Sequence, residues 1–343
     1  MITIGIDPHK SSLTAVALQL SGEVVAAIRL EVNSDTVARL RTWAGGWDQR
    51  RWAVEGAAGL GRGVAQALAG AGEPVVDVPS QLAARAGLLN TGHARKTDAI
   101  DATAVASVAQ HHRRLHPVRV EDDSVVLRLL SQRRDDLAGE RTRTANRLHA
   151  LLRDLIPGGA KRNLTADQAA ALLQEVRPMT TADAQRTDLC RELVADLRRL
   201  DAALQRNTDD IAAAVTAHGT SVTDVHGVGP VLAAKIVGHS SRVDRFPTRH
   251  HYASYCGTAP IEASSGEQRR HRLSRAGNRQ LNRALHLVAV CQIRTNSPGR
   301  EFYQRKLAEA KTPAEARRAL KRRLSDTIYR HLTRDQQART ATT

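Results

Sequence analysis

The sequence predicts an α/β domain at the amino-terminal end of the chain and helical domains after it. Short β-rich segments that end in turns alternate with helical patterns over residues 1–110. From residue 121 onward, apolar residues recur at helical spacing with charged residues between them. A length of 343 residues is sufficient for two domains and a connector.

The amino-terminal region begins with three strands, and the turn Ser21-Gly22 separates the second from the third. A helix that Ser34 or Asp35 can cap follows, and two further strands then alternate with helices. The predicted strands are Ile2–Ile6, Leu13–Gln19, Glu23–Glu31, Arg51–Val54 and Pro74–Val78; the predicted helices end near Trp43, cover Gly63–Ala71, begin near Ser80 and run from Thr97 to Gln110. This element order is that of an RNase H-like fold, and it predicts a domain of residues 1–115.

A helical arm is predicted for residues 116–218. Leucines recur at helical spacing up to Pro157-Gly158-Gly159, and helical patterns resume at Ala166 and at Ala182. We interpret this region as a helical hairpin or coiled-coil-like arm, which serves either as a dimerisation element or as a plain connector. A third, mainly helical domain is predicted for residues 219–343.

The positive charge of the chain is concentrated in this third domain. The net charge is +16, and residues 221–343 hold 23 lysines and arginines against 9 acidic residues, whereas residues 1–110 hold 10 of each. Such a field attracts polyanions. Aromatic residues make up only 3% of the chain, so few rings can stack on unpaired bases. We therefore expect double-stranded DNA as the partner, contacted through its backbone.

Four carboxylates lie at places where the predicted fold can bring them together. Asp7 ends the first strand and Glu55 ends the fourth, and adjacent strand ends in one sheet lie close to each other. Asp98 and Asp101 follow Thr97, a suitable N-cap, and their i, i+3 spacing places both on one helix face. Four converging acids repel one another unless cations lie between them. The sequence thus predicts a site for Mg²⁺ or Mn²⁺ that supports phosphoryl transfer.

Other classes of protein fit less well. A strand ending in Gly-Ile-Asp also opens the phosphate-binding domain of sugar and acetate kinases, but such folds need a second, glycine-rich nucleotide domain that this sequence does not show. The three cysteines are far apart, which argues against disulfides and a zinc site. The sequence has no apolar run long enough for a membrane span and no export signal. We expect a cytoplasmic, nucleoid-associated protein.

A glycine turn opens the third domain. His226-Gly227-Val228-Gly229-Pro230 precedes an alanine-rich helix that contains Lys235, which resembles a helix-hairpin-helix element. Glycines permit positive φ, and the amides at the next helix start can hold a phosphate. We therefore predict that Gly227, Gly229 and Lys235 contact nucleic acid; the alternative is an ordinary turn between helices.

A serine-glycine loop precedes a cluster of arginines. Ser264-Ser265-Gly266 is followed by the predicted phosphate contacts Arg269, Arg270, Arg272, Arg275 and Arg279. A serine hydroxyl is a weak nucleophile that needs a nearby base or metal ion. From the residues alone, Ser265 is read as an ordinary loop residue.

Seven motifs together give the chain a family resemblance. In order, they are GIDPHK, AVEG, KTDAIDA, HGVGPVLA, YCGTAP, SSG and SRAGNRQL, and the set resembles the DEDD-type insertion-sequence transposases over nearly the whole chain. These recombinases have a RuvC-like amino-terminal domain and a carboxy-terminal transposase domain. The family usually has leucine where this chain has Thr258.

The resemblance implies roles that the residues alone do not assign. It gives the DEDD metal-ligand roles to Asp7, Glu55, Asp98 and Asp101, and it makes Ser265 the nucleophile that becomes joined to DNA, although Ser264 beside it blurs the choice. It also implies a structured bridge or guide RNA that pairs with donor and target DNA, which fits a basic protein that holds duplexes by their backbones. Finally, it implies a homodimer or homotetramer assembled through the arm.

Two other functions compete with transposition at this point. In a hydrolytic nuclease of the junction-resolvase type, water attacks the phosphodiester and Ser265 takes no part. In a non-catalytic DNA-binding protein, the arginines matter and Asp7 does not. Substitution of Ser265 and of Asp7 distinguishes the three.

Overall fold

The structure is a computed structural model that describes residues 1–91, 97–112, 114–262, 271–272 and 277–342. Within them the chain divides into two compact units, Met1–Glu121 and Asp122–Thr343. The arm and the basic domain both lie in the second unit, so the boundary between them at residue 218 stays a prediction. Among the described helices, none combines the length and the hydrophobicity that a membrane span requires.

The first unit is a sheet covered by helices on both faces. Its strands and helices are β1 Ile2–Pro8, β2 Ser12–Leu18, β3 Val24–Glu31, α1 Thr36–Trp43, β4 Arg50–Glu55, α2 Arg62–Gly70, β5 Val75–Val78, α3 Ser80–Thr91, α4 Asp98–His111 and β6 His116–Pro117. The sheet order is β3-β2-β1-β4-β5-β6. β1, β2 and β3 pair antiparallel, whereas β4 is parallel to β1 and β5 is parallel to β4. This mixed order confirms the RNase H-like prediction, and the short edge strand β6 is an addition that the sequence pattern did not indicate.

The alternation of side chains along the strands builds two apolar layers. Ile4, Ile6, Trp52 and Val54 belong to a core on one face of the sheet. The opposite face carries a second core, which contains residues of β4, β5, α3 and α4. Since β-strand side chains alternate, Asp7 at the end of β1 lies on this second face, with α4.

The second unit is built on a long antiparallel pair of helices. Its elements are α5 Asp123–Leu155, α6 Ala166–Glu175, α7 Thr181–His218, a 3₁₀ helix Ser221–Asp224, α8 Pro230–Ser240, a 3₁₀ helix Val243–Arg245, α9 Arg249–Tyr255, β7 Ile261–Glu262, β8 His271–Arg272, α10 Arg279–Arg294, α11 Pro298–Ala308 and α12 Pro313–Thr342. The 33 residues of α5 rise about 50 Å, which makes the pair an elongated arm.

The two ends of the arm pack in two separate apolar clusters. At its tip, Leu148 and Leu152 of α5 join α6 and α7 in a separate apolar cluster. At its base, Leu127, Ile211 and Val215 belong to the main core of the unit, together with residues of α8, α10 and α12. The predicted helical arm is therefore present, and its base is part of the same core as the basic domain.

Candidate active site

Two strands deliver the first pair of predicted carboxylates to one edge of the sheet. β1 and β4 are parallel, with Ile6 beside Val54 in the register, so the next residues, Asp7 and Glu55, leave the sheet at the same edge. Asp7 is buried, whereas Glu55 is partly exposed. The parallel pairing of two strands distant in sequence is what makes a shared site possible here.

A glycine in β1 lets α4 lie directly on the sheet. A Cβ atom at Gly5 would meet the carbonyl oxygen of Ala102 at 2.1 Å and the amide nitrogen of Ala106 at 2.5 Å, which no side chain could tolerate. Gly5 and Asp7 are on the same face of β1 because they are two residues apart. The close approach of α4 therefore brings the helix start, with its acidic residues, toward Asp7.

The first turn of α4 presents the second pair of carboxylates. Thr97 is in extended conformation, and its hydroxyl accepts a hydrogen bond from the amide of Ile100 at 3.3 Å, as an N-cap does. Asp98 and Asp101 both lie in this first turn. The positive end of the helix dipole favours their negative charge there.

Asp7 and Asp98 come together with a third residue, His9. Nε2 of His9 is 3.3 Å from Oδ2 of Asp7 and 3.5 Å from Oδ1 of Asp98, and one ligand atom from each residue lies within 4.8 Å of the other two. The second oxygen of Asp98 pairs with Arg29 at 2.9 Å. Arg29 stands in line with Asp7 across the sheet, because Thr14 of β2 pairs with both.

The surroundings of Asp7 disfavour the ionised form of its carboxyl group. Burial raises the pKa of Asp7 to about 6; the charge of His9 opposes this rise, and the charges of Glu55, Asp101 and Asp98 add to it. The other three predicted carboxylates therefore all act on Asp7. Glu55 and Asp101 are not part of the tight group that Asp7 and Asp98 form with His9.

A divalent cation fits this arrangement. Oδ2 of Asp7 and Nε2 of His9 are buried and have no hydrogen-bond partner among the described residues. A buried carboxylate oxygen without a donor is costly unless a cation neutralises it. Mg²⁺ and Mn²⁺ prefer carboxylate oxygens as ligands. The donor set and the unmet charge of Asp7 both suit such an ion.

Sequence reasoning missed His9 as a member of this group. The histidine lies within the GIDPHK motif, two residues beyond a strand-terminal aspartate, and that spacing could have suggested it. The partners of its imidazole could not have been read from the sequence, since Asp98 is almost ninety residues away in the chain.

The glycine turn of the second unit has the predicted backbone features. Gly227 has a φ of +83°, and Gly229 is the N-cap of α8 with Pro230 at the first helical position. A four-residue 3₁₀ helix stands before the turn in place of a full first helix. The contact of Gly227 and Gly229 with nucleic acid stays a prediction.

Lys235 lies in the interior of the second unit, which does not support its predicted role. It is 6% exposed, and its Nζ donates to both oxygens of Asp135 at 2.7 and 2.6 Å and to Gln280 at 3.1 Å. A lysine on an alanine-rich helix of a basic domain was predicted to reach phosphate, but its partner on α5 is 100 residues away in the chain. The ammonium ion joins the arm to α8 and α10 instead, so we leave Lys235 out of the proposed nucleic-acid contacts.

Most of the serine-arginine segment lies outside the described residues. This applies to Ser264, Ser265, Arg269, Arg270 and Arg275. Arg272 lies in the short strand β8, and Arg279 is the exposed first residue of α10. The predicted nucleophile and most of the predicted phosphate contacts are thus not tested by the geometry.

Two transposase families match the chain. Residues 4–157 match a DEDD-type family described as "Transposase", and residues 220–304 match the family described as "Transposase IS116/IS110/IS902 family". The two matches together cover more than half of the chain, in the order that the motifs predicted. The chain belongs to the IS110/IS116 family of insertion-sequence transposases. As such, it is a member of a class of enzymes that cut and rejoin DNA.

Relatives of this transposase have lengths similar to its own. It is 27% identical to "Insertion element IS116 uncharacterized 44.8 kDa protein" of Streptomyces clavuligerus, over 96% of this chain and 94% of the relative. It is 28% identical to "Insertion element IS900 uncharacterized 42 kDa protein" of Mycobacterium paratuberculosis, over 86% and 85%. A "Probable family 20 transposase" of Pseudomonas aeruginosa is 28% identical over 60% of this chain and 63% of the relative.

One solved structure similar to the transposase is "T. thermophilus RuvC in complex with Holliday junction substrate". The likeness covers 34% of this chain and 99% of that chain, with 20% sequence identity and a TM-score of 0.29. With a TM-score this low, the likeness adds nothing to the fold assignment that the sheet order already gives.

Proposed function

We propose that this transposase cleaves and rejoins DNA strands at a divalent-cation site formed by Asp7, Glu55, Asp98 and Asp101. The observation that carries the proposal is the buried Asp7 carboxylate, which lacks a donor and whose pKa is raised to about 6 by burial and by the other three acids. Proteins seldom place a buried acid beside three further acids for stability alone. Phosphoryl transfer on DNA is the reaction that such a cluster serves in this family.

The roles of the chain's own groups follow from their positions. Mg²⁺ or Mn²⁺, when bound, would stabilise the charge that develops on the phosphate oxygens. Asp7 and Asp98 would supply ligand oxygens, and the α4 N-cap at Thr97 would hold the second of them in place. Glu55 and Asp101 would complete the ligand set from the neighbouring strand end and from the same helix turn.

We further propose that Ser265 is the attacking nucleophile, a role that rests on the family resemblance. Its Oγ would form a bond to phosphorus while the bond to the 3′ oxygen breaks. The serine hydroxyl loses its proton and the leaving 3′ oxygen gains one, so that a phosphoserine link to DNA and a free 3′-OH result. Reversal of this step with a different strand rejoins DNA without net hydrolysis.

The remaining contacts serve substrate binding. Arg269, Arg270, Arg272, Arg275 and Arg279, with the amides at the Gly227 turn, would neutralise and position phosphates. By resemblance, a guide RNA would pair with donor and target DNA, and subunits would assemble as a dimer or tetramer through the arm.

A comparison of two variants tests the proposal. The purified protein, with the transcript from the end of its element and a labelled donor DNA, is assayed in Mg²⁺ for cleavage and for a covalent protein–DNA product. Asp7→Asn should lower cleavage by about a thousandfold or more, since metal assistance supplies several kcal/mol. Ser265→Ala should remove the covalent product and the cleavage together.

Different results would favour the competing functions. Cleavage by Ser265→Ala at the wild-type rate would overturn the covalent mechanism in favour of hydrolysis. An Asp7→Asn variant with full activity would overturn the metal site. Ser264→Ala is the matched control, and it should retain both the cleavage and the covalent product.

A further inference from the structure

His9 is held at the mouth of the acidic site by its own backbone. It follows β1, and its amide donates to the carbonyl oxygen of Ser12 at 2.8 Å across the turn between β1 and β2. Its imidazole Nε2 is buried, although the side chain as a whole is 42% exposed. The ring edge therefore faces inward, toward Asp7 and Asp98.

The three facing atoms have the spacing of ligands around one ion. Nε2 of His9 is 3.3 Å from Oδ2 of Asp7 and 3.5 Å from Oδ1 of Asp98. Two neighbouring ligands of an octahedral ion lie about 3 Å apart when each is about 2.1 Å from the metal. Neither short approach has the geometry of a hydrogen bond, since Nε2 of His9 and Oδ2 of Asp7 have no such partner in the described part of the chain.

We propose that His9 is a nitrogen ligand of a divalent cation that Asp7 and Asp98 also bind. The proposal rests on the metal site of the proposed function and adds to its four carboxylates a ligand of another chemical type. A neutral imidazole binds Mn²⁺ more readily than Mg²⁺, which prefers oxygen ligands and keeps its waters. The site should therefore favour Mn²⁺ over Mg²⁺.

Arg29 fits this arrangement as the partner of the other Asp98 oxygen. Its Nη1 lies 2.9 Å from Oδ2 of Asp98, on the opposite side of the carboxylate from His9. A ligand carboxylate that is held by a second group keeps its orientation. Arg29 would act as a positioning residue, and it leaves Oδ1 of Asp98 for the ion.

Pulsed electron paramagnetic resonance of the full-length protein loaded with Mn²⁺ tests the proposal directly. Wild-type protein should show the nitrogen-14 coupling of an imidazole bound to Mn²⁺. His9→Gln should lose this coupling and bind Mn²⁺ at least about 10-fold more weakly in calorimetric titration, whereas its Mg²⁺ affinity should fall less. His111→Gln is the matched control, because His111 lies at the end of α4 and bonds to the carbonyl oxygen of Ser107; it should retain the coupling and the affinity.

The outcomes separate this proposal from the metal site itself. If wild-type protein binds Mn²⁺ without nitrogen coupling, the His9 ligand is overturned and the carboxylate site stands. If wild-type protein binds no Mn²⁺, or if Asp7→Asn binds it equally well, the proposed function fails as well. The wild-type spectrum needs no variant, so poor folding of His9→Gln would not prevent the test.

Discussion

The amino-terminal sheet carries an acidic group at each end, and the two ends are built in opposite ways. At the amino ends of β4 and β5, the buried Glu73 accepts hydrogen bonds from Arg50 at 2.7 and 3.0 Å, from Arg41 at 3.2 Å and from the indole of Trp52 at 2.8 Å. At the carboxyl end of β1, Asp7 has no donor for its Oδ2 among the described residues, and three further carboxylates act on it.

The contrast separates a structural acid from a functional one. Hydrogen bonds from Arg50, opposed by burial and aided by Trp52 and Arg41, hold the pKa of Glu73 below its ordinary value. Burial and like charges raise the pKa of Asp7 to about 6. Burial alone raises the pKa of both acids, and the difference lies in the hydrogen bonds that Glu73 receives and that Oδ2 of Asp7 lacks among the described residues. Around Asp7, where three further acids act on a carboxylate whose Oδ2 receives no hydrogen bond from the described residues, an external cation is the expected partner.

Of the substitutions at the two ends of the sheet, Glu73→Gln is expected to have the largest effect on stability. Glu73→Gln should lower the free energy of unfolding by about 3 kcal/mol, because it leaves the half-buried Arg50 without its counter-ion. Because the folded-state pKa of Glu73 is lowered, its contribution is complete above the unfolded pKa near 4.5 and is lost as the pH falls through the folded value. Urea titration at pH 7 and at acid pH measures both effects.

The exposed Glu31 of β3 offers the control for this change. Glu31→Gln should leave the free energy of unfolding within about 0.5 kcal/mol of wild type, as surface changes do. Equal stability of the Glu73 and Glu31 variants would show that the ion pairs of Glu73 with Arg50 and Arg41 contribute little to the free energy of unfolding. Glu73 would then not be a structural acid.

At Asp7, substitution is expected to raise the free energy of unfolding and not to lower it. Its raised pKa means that the folded state binds a proton more tightly than the unfolded state, so the ionised form costs stability. In chelator, Asp7→Asn should stabilise the protein relative to wild type by about 2–3 kcal/mol at pH 7. The advantage should shrink as the pH falls through 6 and vanish below the ordinary value of 3.8. Saturating Mn²⁺ should cancel it by stabilising wild type alone.

Thermal unfolding between pH 4 and pH 8 measures this difference. Asp48→Asn, at an exposed position before β4, is the control and should show no such dependence on pH. An Asp7→Asn variant that is less stable than wild type in chelator would mean that Asp7 has a donor in solution. Asp7 would then be a structural acid, as Glu73 is.

The sequence predicted the first unit well and the interior of the second unit poorly, and the reason is physical. β1 to β5 and α4 follow from local periodicity, strand-ending acids and the Thr97 cap, all of which lie within a few residues of the features they determine. The ion pair of Lys235 with Asp135 and the approach of His9 to Asp98 depend on chain segments about ninety or a hundred residues apart. Residue type indicated that these groups were ionisable, but only the fold shows which partner each one meets.

The smallest expected effect on stability is at Thr97, the N-cap of the helix that carries Asp98 and Asp101. Thr97→Ala removes the hydroxyl that accepts from Ile100 and should cost about 1 kcal/mol of stability. Because Asp98 and Asp101 lie in the turn that the cap holds, Mn²⁺ affinity should fall about fivefold, which corresponds to the same free energy. Thr103→Ala on the same helix is the control: its hydroxyl donates to the carbonyl oxygen of Ala99, and its loss should leave Mn²⁺ affinity unchanged. If Thr97→Ala lowers stability and leaves Mn²⁺ affinity at the wild-type value, the first turn of α4 does not carry the ligands, and the acidic end of the sheet must bind cations without it.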